Sequence, residues 1–297
     1  MSKDSAGRLT EISLVLAAVF WGTNYAATKF AAGSLPALPI VAFRFVVAGL
    51  LMYGVLRILE PASKLRRGDL LPMAGLGCLG IAIGQTAFTF GLGLTTAANT
   101  GLIFATAPVW GLLLGLALGL ERPTLAGAAG VGLSIVGVGI VFHEGLGAEG
   151  ASPIGDLCVL LAAVGFGAYT VLSMRMLKRH SPLAVATYPT LFGAPIVLAL
   201  SVPQATGIAW GHVGAWAAVA FSAVFATAFA FSAWQMGVSR IGANRVLVYQ
   251  YLITLTGIGS GVVFFSEALG ASKLAGGAVI LLGVYLARKQ RSGPRTG

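Results

Sequence analysis

Residues 12–32 read ISLVLAAVFWGTNYAATKFAA, with Lys29 as the one charged side chain. A helix of about 20 such residues crosses the ~30 Å hydrocarbon core of a bilayer. The run is not apolar all round, however. Trp21, Asn24/Tyr25 and Thr28 fall at i, i+3/4 and i+7, which is one helix face. A polar group in a spanning helix is costly unless it meets protein or a wet cavity. The stretch therefore predicts a membrane helix with one face turned to a polar interior. Lys3 and Arg8 precede it, as they would a signal peptide. We read it as a retained helix, because the same pattern of polar residues returns later in the chain.

The composition agrees. Of 297 residues 57% are apolar, and 19 Lys/Arg with 9 Asp/Glu make the charged share 9%. A soluble domain carries about 25% charged residues, and the mean hydropathy here is +0.89. A cytosolic enzyme, a secreted disulfide scaffold and a disordered regulator are excluded. Apolar runs between breakers give ten spans: 12–32, 35–59, 70–93, 96–119, 124–142, 154–177, 183–202, 212–237, 242–266 and 271–288. The fold class is thus all-α integral membrane, with ten transmembrane helices.

The net charge of +10 is an orientation signal. All Lys and Arg except Lys29, Arg44 and Lys273 fall in the tails or near the connections after spans two, four, six and eight. Cytoplasmic loops concentrate these residues, so both termini are expected in the cytoplasm, and no nucleic-acid partner is needed to explain the charge. Cys78 and Cys158 sit in apolar runs and read as small hydrophobes. His143, His180 and His212 lie at segment edges with no partner at metal-ligand spacing, and no cofactor motif is present.

A shift of about 145 residues brings the two halves into register. Trp21-Gly22 falls on Phe166-Gly167 and Ala98-Asn99 on Ala243-Asn244. With one residue of slippage Glu121 falls on Glu267, Gly111/Gly115 on Gly257/Gly261, Gly130 on Gly276 and Gly137-Val138 on Gly283-Val284. Five spans per half is an odd number, so the second copy must cross upside down. The expected organisation is two inverted five-helix repeats, residues 1–145 and 146–297, forming one transport unit with a site near the midplane.

These residues carry a resemblance. The chain resembles the drug/metabolite transporter superfamily, in particular its ten-helix EamA-type exporters. The matching elements are Trp21-Gly22-x-Asn24 with Lys29, Pro39 with Arg44-Phe45, Ala98-Asn99-x-x-Leu102 with Pro108, Glu121 ahead of Gly130 and Gly137, and Glu267 ahead of Gly276 and Gly283. Within that family it looks most like the YddG-type exporters of aromatic and other amino acids. The resemblance implies a bacterial inner-membrane exporter of small metabolites with a central cavity between the halves. Pro189 stands where a second Arg44 would be, so any role of Arg44 is asymmetric.

The candidate substrate-binding residues follow from the polar faces. Span one offers Trp21, Asn24, Tyr25 and Thr28; span six offers Tyr169 and Thr170 beside Phe166 and Ser173. Span three adds Gln85 and Phe88. Span eight adds Trp234 on a face with Thr227 and Phe231, and span nine adds Tyr249 and Gln250. Arg44, about nine residues into span two, is too deep to reach the interface. It either packs against polar groups or binds a substrate carboxylate. Trp210 and Trp216 read as interfacial belt residues.

All nine acids sit in tails, loops or helix ends. Proton-coupled transporters commonly use carboxylates or histidines at depth, so facilitative transport is expected. Aromatics, amides and hydroxyls with few cations suit neutral or zwitterionic solutes, so amino acids are the expected small-molecule partners, with membrane lipid around the protein. A broader drug or nucleotide-type exporter is the alternative. A membrane enzyme on lipid-linked substrates lacks a readable base–nucleophile set, and a channel lacks a ring of like groups. Pro108, Pro189 and Pro195 are expected kink points.

Overall fold

The computed structural model describes residues 3–119, 124–145, 152–242, 246, 249–267 and 269–289. Ten helical elements follow one another among them. They are α1 (Lys3–Ala32), α2 (Ala37–Leu59), α3 (Arg67–Leu94), α4 (Ala97–Ala117) and α5 (Leu125–Gly145). The second five are α6 (Pro153–Leu177), α7 (Pro182–Gly207), α8 (Val213–Ile241), α9 (Tyr249–Phe265) and α10 (Ala271–Lys289). Six of them, α2, α3, α4, α6, α7 and α8, are long and apolar enough to cross a membrane, and α5, α9 and α10 contain shorter apolar runs. α1, which carries Glu11 and Lys29 as well as Trp21, Asn24, Tyr25 and Thr28, falls outside both groups. The chain is a multi-pass membrane protein. Leu50, Leu71, Val263 and Phe264 point outward at 63%, 82%, 74% and 65% exposure, an apolar outer surface that suits lipid rather than water.

Local sequence sets the helix starts. Ser152 Oγ accepts from Gly155 N, and Ser181 Oγ accepts from Ala184 N; each serine precedes a proline at the first helical position. Thr96 Oγ1 caps α4 through Asn99 N at 3.0 Å. Proline acts unequally. α4 breaks at Ala105–Thr106, just ahead of Pro108, whereas α7 stays helical from Pro182 to Ser201 through Pro189 and Pro195.

Side-chain bonds fix the helix directions. The end of α8 meets the start of α1 through Arg240 Nη1 donating to Thr10 Oγ1 at 3.0 Å. The turn after α6 meets the start of α3 through Arg179 and Asp69. We call this the near face. At the far face the ends of α1, α3 and α9 meet the starts of α4 and α6. α1 and α6 therefore run in opposite directions.

Glycines let these helices touch, in pairs. A Cβ on Gly22 of α1 would lie 2.8 Å from Gly257 N of α9, and a Cβ on Gly167 of α6 would lie 2.7 Å from Gly111 N of α4. Between α5 and α10, a Cβ on Gly137 would lie 2.8 Å from Gly276 O, and one on Gly283 would lie 2.7 Å from Gly130 O. No side chain fits such backbone contacts, which is why small residues hold these faces. Glu121 and Ala243-Asn244 of the sequence repeat lie outside the described residues.

Two features were not legible in the sequence. α3 contains a π-helical stretch over Cys78–Gln85 and α8 one over Val224–Phe229. No proline or charge marks either one.

Candidate functional site

A central cavity of about 30 Å³ is lined by Trp21, Asn24 and Tyr25 of α1, Arg44 of α2, Gln85 and Phe88 of α3, Phe104 of α4, Phe166 of α6, Phe231 of α8 and Ile253 of α9. That volume holds one or two waters, so a solute requires the walls to move apart. Six of the twelve sequence-derived candidates line it: Trp21, Asn24, Tyr25, Arg44, Gln85 and Phe88.

The wall is an aromatic cluster with polar groups set into it. The Trp21 ring meets Phe166 at 5.8 Å, Phe231 at 5.5 Å and Trp234 at 5.1 Å between centroids. Trp21 and Phe166 are the residues that the 145-residue shift superposes, and they touch edge to face. Trp21 Nε1 donates to the carbonyl of Ala226 at 2.7 Å, inside the π-helical stretch of α8. Such stretches recur at functional sites because they widen the helix locally. Asn24 Oδ1 accepts from Ser222 Oγ.

Arg44 is the electrostatic centre of the cavity. It is 2% exposed, its Nε donates to Thr227 Oγ1 at 2.7 Å, and its guanidinium lies over Phe45 at 4.9 Å. Its Nη1 has no partner, and among the described residues no carboxylate lies within 4.0 Å of it. Tyr25 Oη, on the same wall, is also buried without a partner. A buried cation is stable only when paired or well hydrogen-bonded. This one borders the cavity and keeps one buried donor, Nη1, without a partner.

The other six candidates stand back from the cavity. Tyr169 is buried where Gln235 Nε2 donates to its hydroxyl at 3.1 Å, and Thr170 Oγ1 donates to Phe166 O within its own helix. Trp234 packs behind Trp21 and Phe166. Thr28 and Gln250 are buried, and Tyr249 is half-buried; none of the three borders the cavity. Sequence faces missed Phe104 and Ile253, whose apolar types carry no signal of a cavity. Phe166 and Phe231 did fall on the right faces.

The far face is closed by two acids gripping one turn. Glu267, between α9 and α10, accepts from Lys29 Nζ at 2.6 Å, Ala97 N at 2.8 Å and Ala98 N at 3.0 Å. Lys29 Nζ also donates to Thr95 O at 3.2 Å. Burial alone would raise the Glu267 carboxyl, but the Lys29 bond and the two α4 N–H groups outweigh it and hold it below its ordinary range. Asp156 accepts from Thr95 Oγ1 at 2.6 Å and from Asn99 Nδ2 at 3.1 Å. The sequence placed Asp156 at a helix end; the fold buries it completely.

At the near face Asp69 takes Arg179 Nη1 and His180 Nε2, both at 2.9 Å. His180, which has no partner at metal-ligand spacing in the sequence, thus hydrogen-bonds the carboxylate that pairs with Arg179. Among the described residues no group of three or more His, Cys, Asp or Glu side chains is placed to hold a metal.

Among the described residues, an all-helical membrane fold surrounds an aromatic cavity with one buried cation, an arrangement that suits a small-solute transporter. The chain belongs to the EamA-like transporter family, whose model matches it twice, over residues 8–143 and 153–288. It is 27% identical to a "Probable terminal-alkyne amino-acid exporter" of Streptantibioticus cattleyicolor, covering 95% of this chain and 94% of that one. It is 26% identical to the "Uncharacterized transporter YyaM" of Bacillus subtilis over 93% and 92%, and 23% identical to an "Uncharacterized transporter" of Archaeoglobus fulgidus over 94% and 99%. A solved crystal structure matches the fold with a TM-score of 0.66 at 20% identity, covering 98% of this chain and all of that one.

Proposed function

We propose that this transporter exports neutral amino acids, aromatic ones included, by alternating access through the central cavity. The observation that carries the reading is Arg44, a buried cation whose Nη1 has no partner and which, among the described residues, has no carboxylate within 4.0 Å. A carboxylate supplies what it lacks. The rings of Trp21, Phe88, Phe166 and Phe231 give an apolar side chain its contacts, and Asn24, Tyr25 and Gln85 give an ammonium or amide its hydrogen bonds. The exporter from Streptantibioticus cattleyicolor supports an amino-acid solute.

Two inverted five-helix repeats, 1–145 and 146–297, are the architecture that does this. The double family match, the opposite directions of α1 and α6, and the paired glycine contacts support it. Both termini lie in the cytoplasm of a bacterial inner membrane on this reading, by the positive-inside rule. The transport is facilitative. Asp156 and Glu267 belong to the far-face closure rather than to the cavity wall.

The test is counterflow of labelled amino acids into proteoliposomes without a pH gradient. Neutral and aromatic amino acids exchange, and Trp21→Ala and Asn24→Ala slow them. Arg44→Gln weakens apparent affinity by roughly 10- to 100-fold, the value of a charge-assisted hydrogen bond. The same variant leaves the amino-acid amide, which has no carboxylate, nearly unaffected. Equal uptake by wild type and all three variants, or strict dependence on a proton gradient, would overturn the proposal.

A further inference from the structure

Away from the central cavity, a groove of about 710 Å³ opens between α3 and α6 at the near face. Its origin is a splayed crossing. Midway along, the helices are locked together at Gly80, where a Cβ would lie 2.7 Å from the Tyr169 ring. Toward the near face they separate until Arg179 reaches Asp69. Between these two ties the backbone at Gly75 has open space, with no atom within 4 Å of a Cβ placed there.

The groove has two unlike parts. Leu76, Leu172 and Met176 make an apolar floor, and Arg175, Lys178 and Arg179 make a cationic rim. Arg179 is already paired with Asp69. Arg175 and Lys178 are exposed and form no ion pair among the described residues. The flank beside the groove faces lipid, for Leu71 is 82% exposed on the same turn of α3. Cations above an apolar floor at the end of a membrane span are an amphipathic receptor.

We propose that this groove is a binding site for an anionic glycerophospholipid. The headgroup phosphate sits on Arg175 and Lys178, and the first part of an acyl chain lies on Leu76, Leu172 and Met176. A soluble anion would use the rim and leave the floor wet, so the floor argues for a lipid. Basic pockets between helices at the membrane surface bind anionic headgroups in this way, each cation giving about a five-fold preference. Two free cations give about 25-fold.

Native mass spectrometry of the full-length protein, titrated with phosphatidylglycerol and phosphatidylcholine, tests this. Wild type prefers phosphatidylglycerol by about 25-fold. Arg175→Gln/Lys178→Gln removes the preference. Gly75→Phe, which places a ring in space that is open, lowers binding of both lipids. Lys64→Gln/Arg66→Gln, equally exposed cations off the groove, leaves the preference intact. The proposal fails if wild type shows no preference, or if the Lys64/Arg66 pair removes it as fully as the Arg175/Lys178 pair does. It also fails if inorganic phosphate displaces the bound lipid, which would mark a soluble-anion site.

Discussion

Replacing Glu267 with Gln releases the far face. In the wild type Oε1 takes Lys29 Nζ and Ala97 N, and Oε2 takes Ala98 N. A glutamine keeps the first oxygen but turns an NH2 toward the Ala98 N–H, donor against donor. It also leaves Lys29, whose side chain is 22% exposed, without its counter-charge. One lost hydrogen bond and one weakened, partly screened ion pair cost about 2 kcal/mol. On the alternating-access reading this bias belongs to the closed far face, so the open population rises about 30-fold. The assay is labelling of a single cysteine at Phe88 by a membrane-impermeant maleimide, with Cys78 and Cys158 replaced by Ala. The rate of labelling from the far face rises by that factor in Glu267→Gln, and by a similar factor in Lys29→Met. The double variant adds little further, because both changes break one contact. Unchanged labelling in both single variants, or fully additive effects, would refute the latch.

Two further predictions concern stability. Gly167→Val drives a side chain into the Gly111 backbone and costs about 3 kcal/mol or more, whereas Gly132→Ala, with nothing within 4 Å, is neutral or slightly stabilising; detergent thermal melts separate them. Glu267 is held below its ordinary value of 4.5, so its charge stabilises the fold fully above that pH and the gain is lost as pH falls through the lowered value. The melting difference between wild type and Glu267→Gln is therefore constant from pH 7 to 5 and vanishes in stronger acid; shrinkage already between pH 7 and 5 contradicts the assigned contacts.

The sequence reading and the structure diverge for identifiable reasons. Helical periodicity put Tyr169 and Trp234 on inward faces correctly, yet inward is not the same as lining the cavity. Tyr169 fills the space beside Gly80, and Trp234 is screened by Trp21 and Phe166. Phe104 and Ile253 line the cavity although their side chains look like ordinary core. Asp156 read as a loop-end acid because it is four residues into α6; only the packing of Thr95 and Asn99 over it makes it buried. His180 had no partner at local spacing because Asp69 is distant in sequence.

What the chain determined by itself was the solvent it folds in and the number of helical elements. Those depend on hydropathy summed over about 20 residues and on caps such as Ser152-Pro153 and Ser181-Pro182, which are local properties. It also determined which helix faces turn inward, since 3.6-residue periodicity is local too. The tertiary structure alone decided which inward groups share one cavity, which acids close the far face, and that Arg44 Nη1 is left without a partner. Those outcomes depend on distances between helices. The glycine contacts and π-helical stretches that set these distances act between segments about 55 to 235 residues apart, where no local pattern reaches.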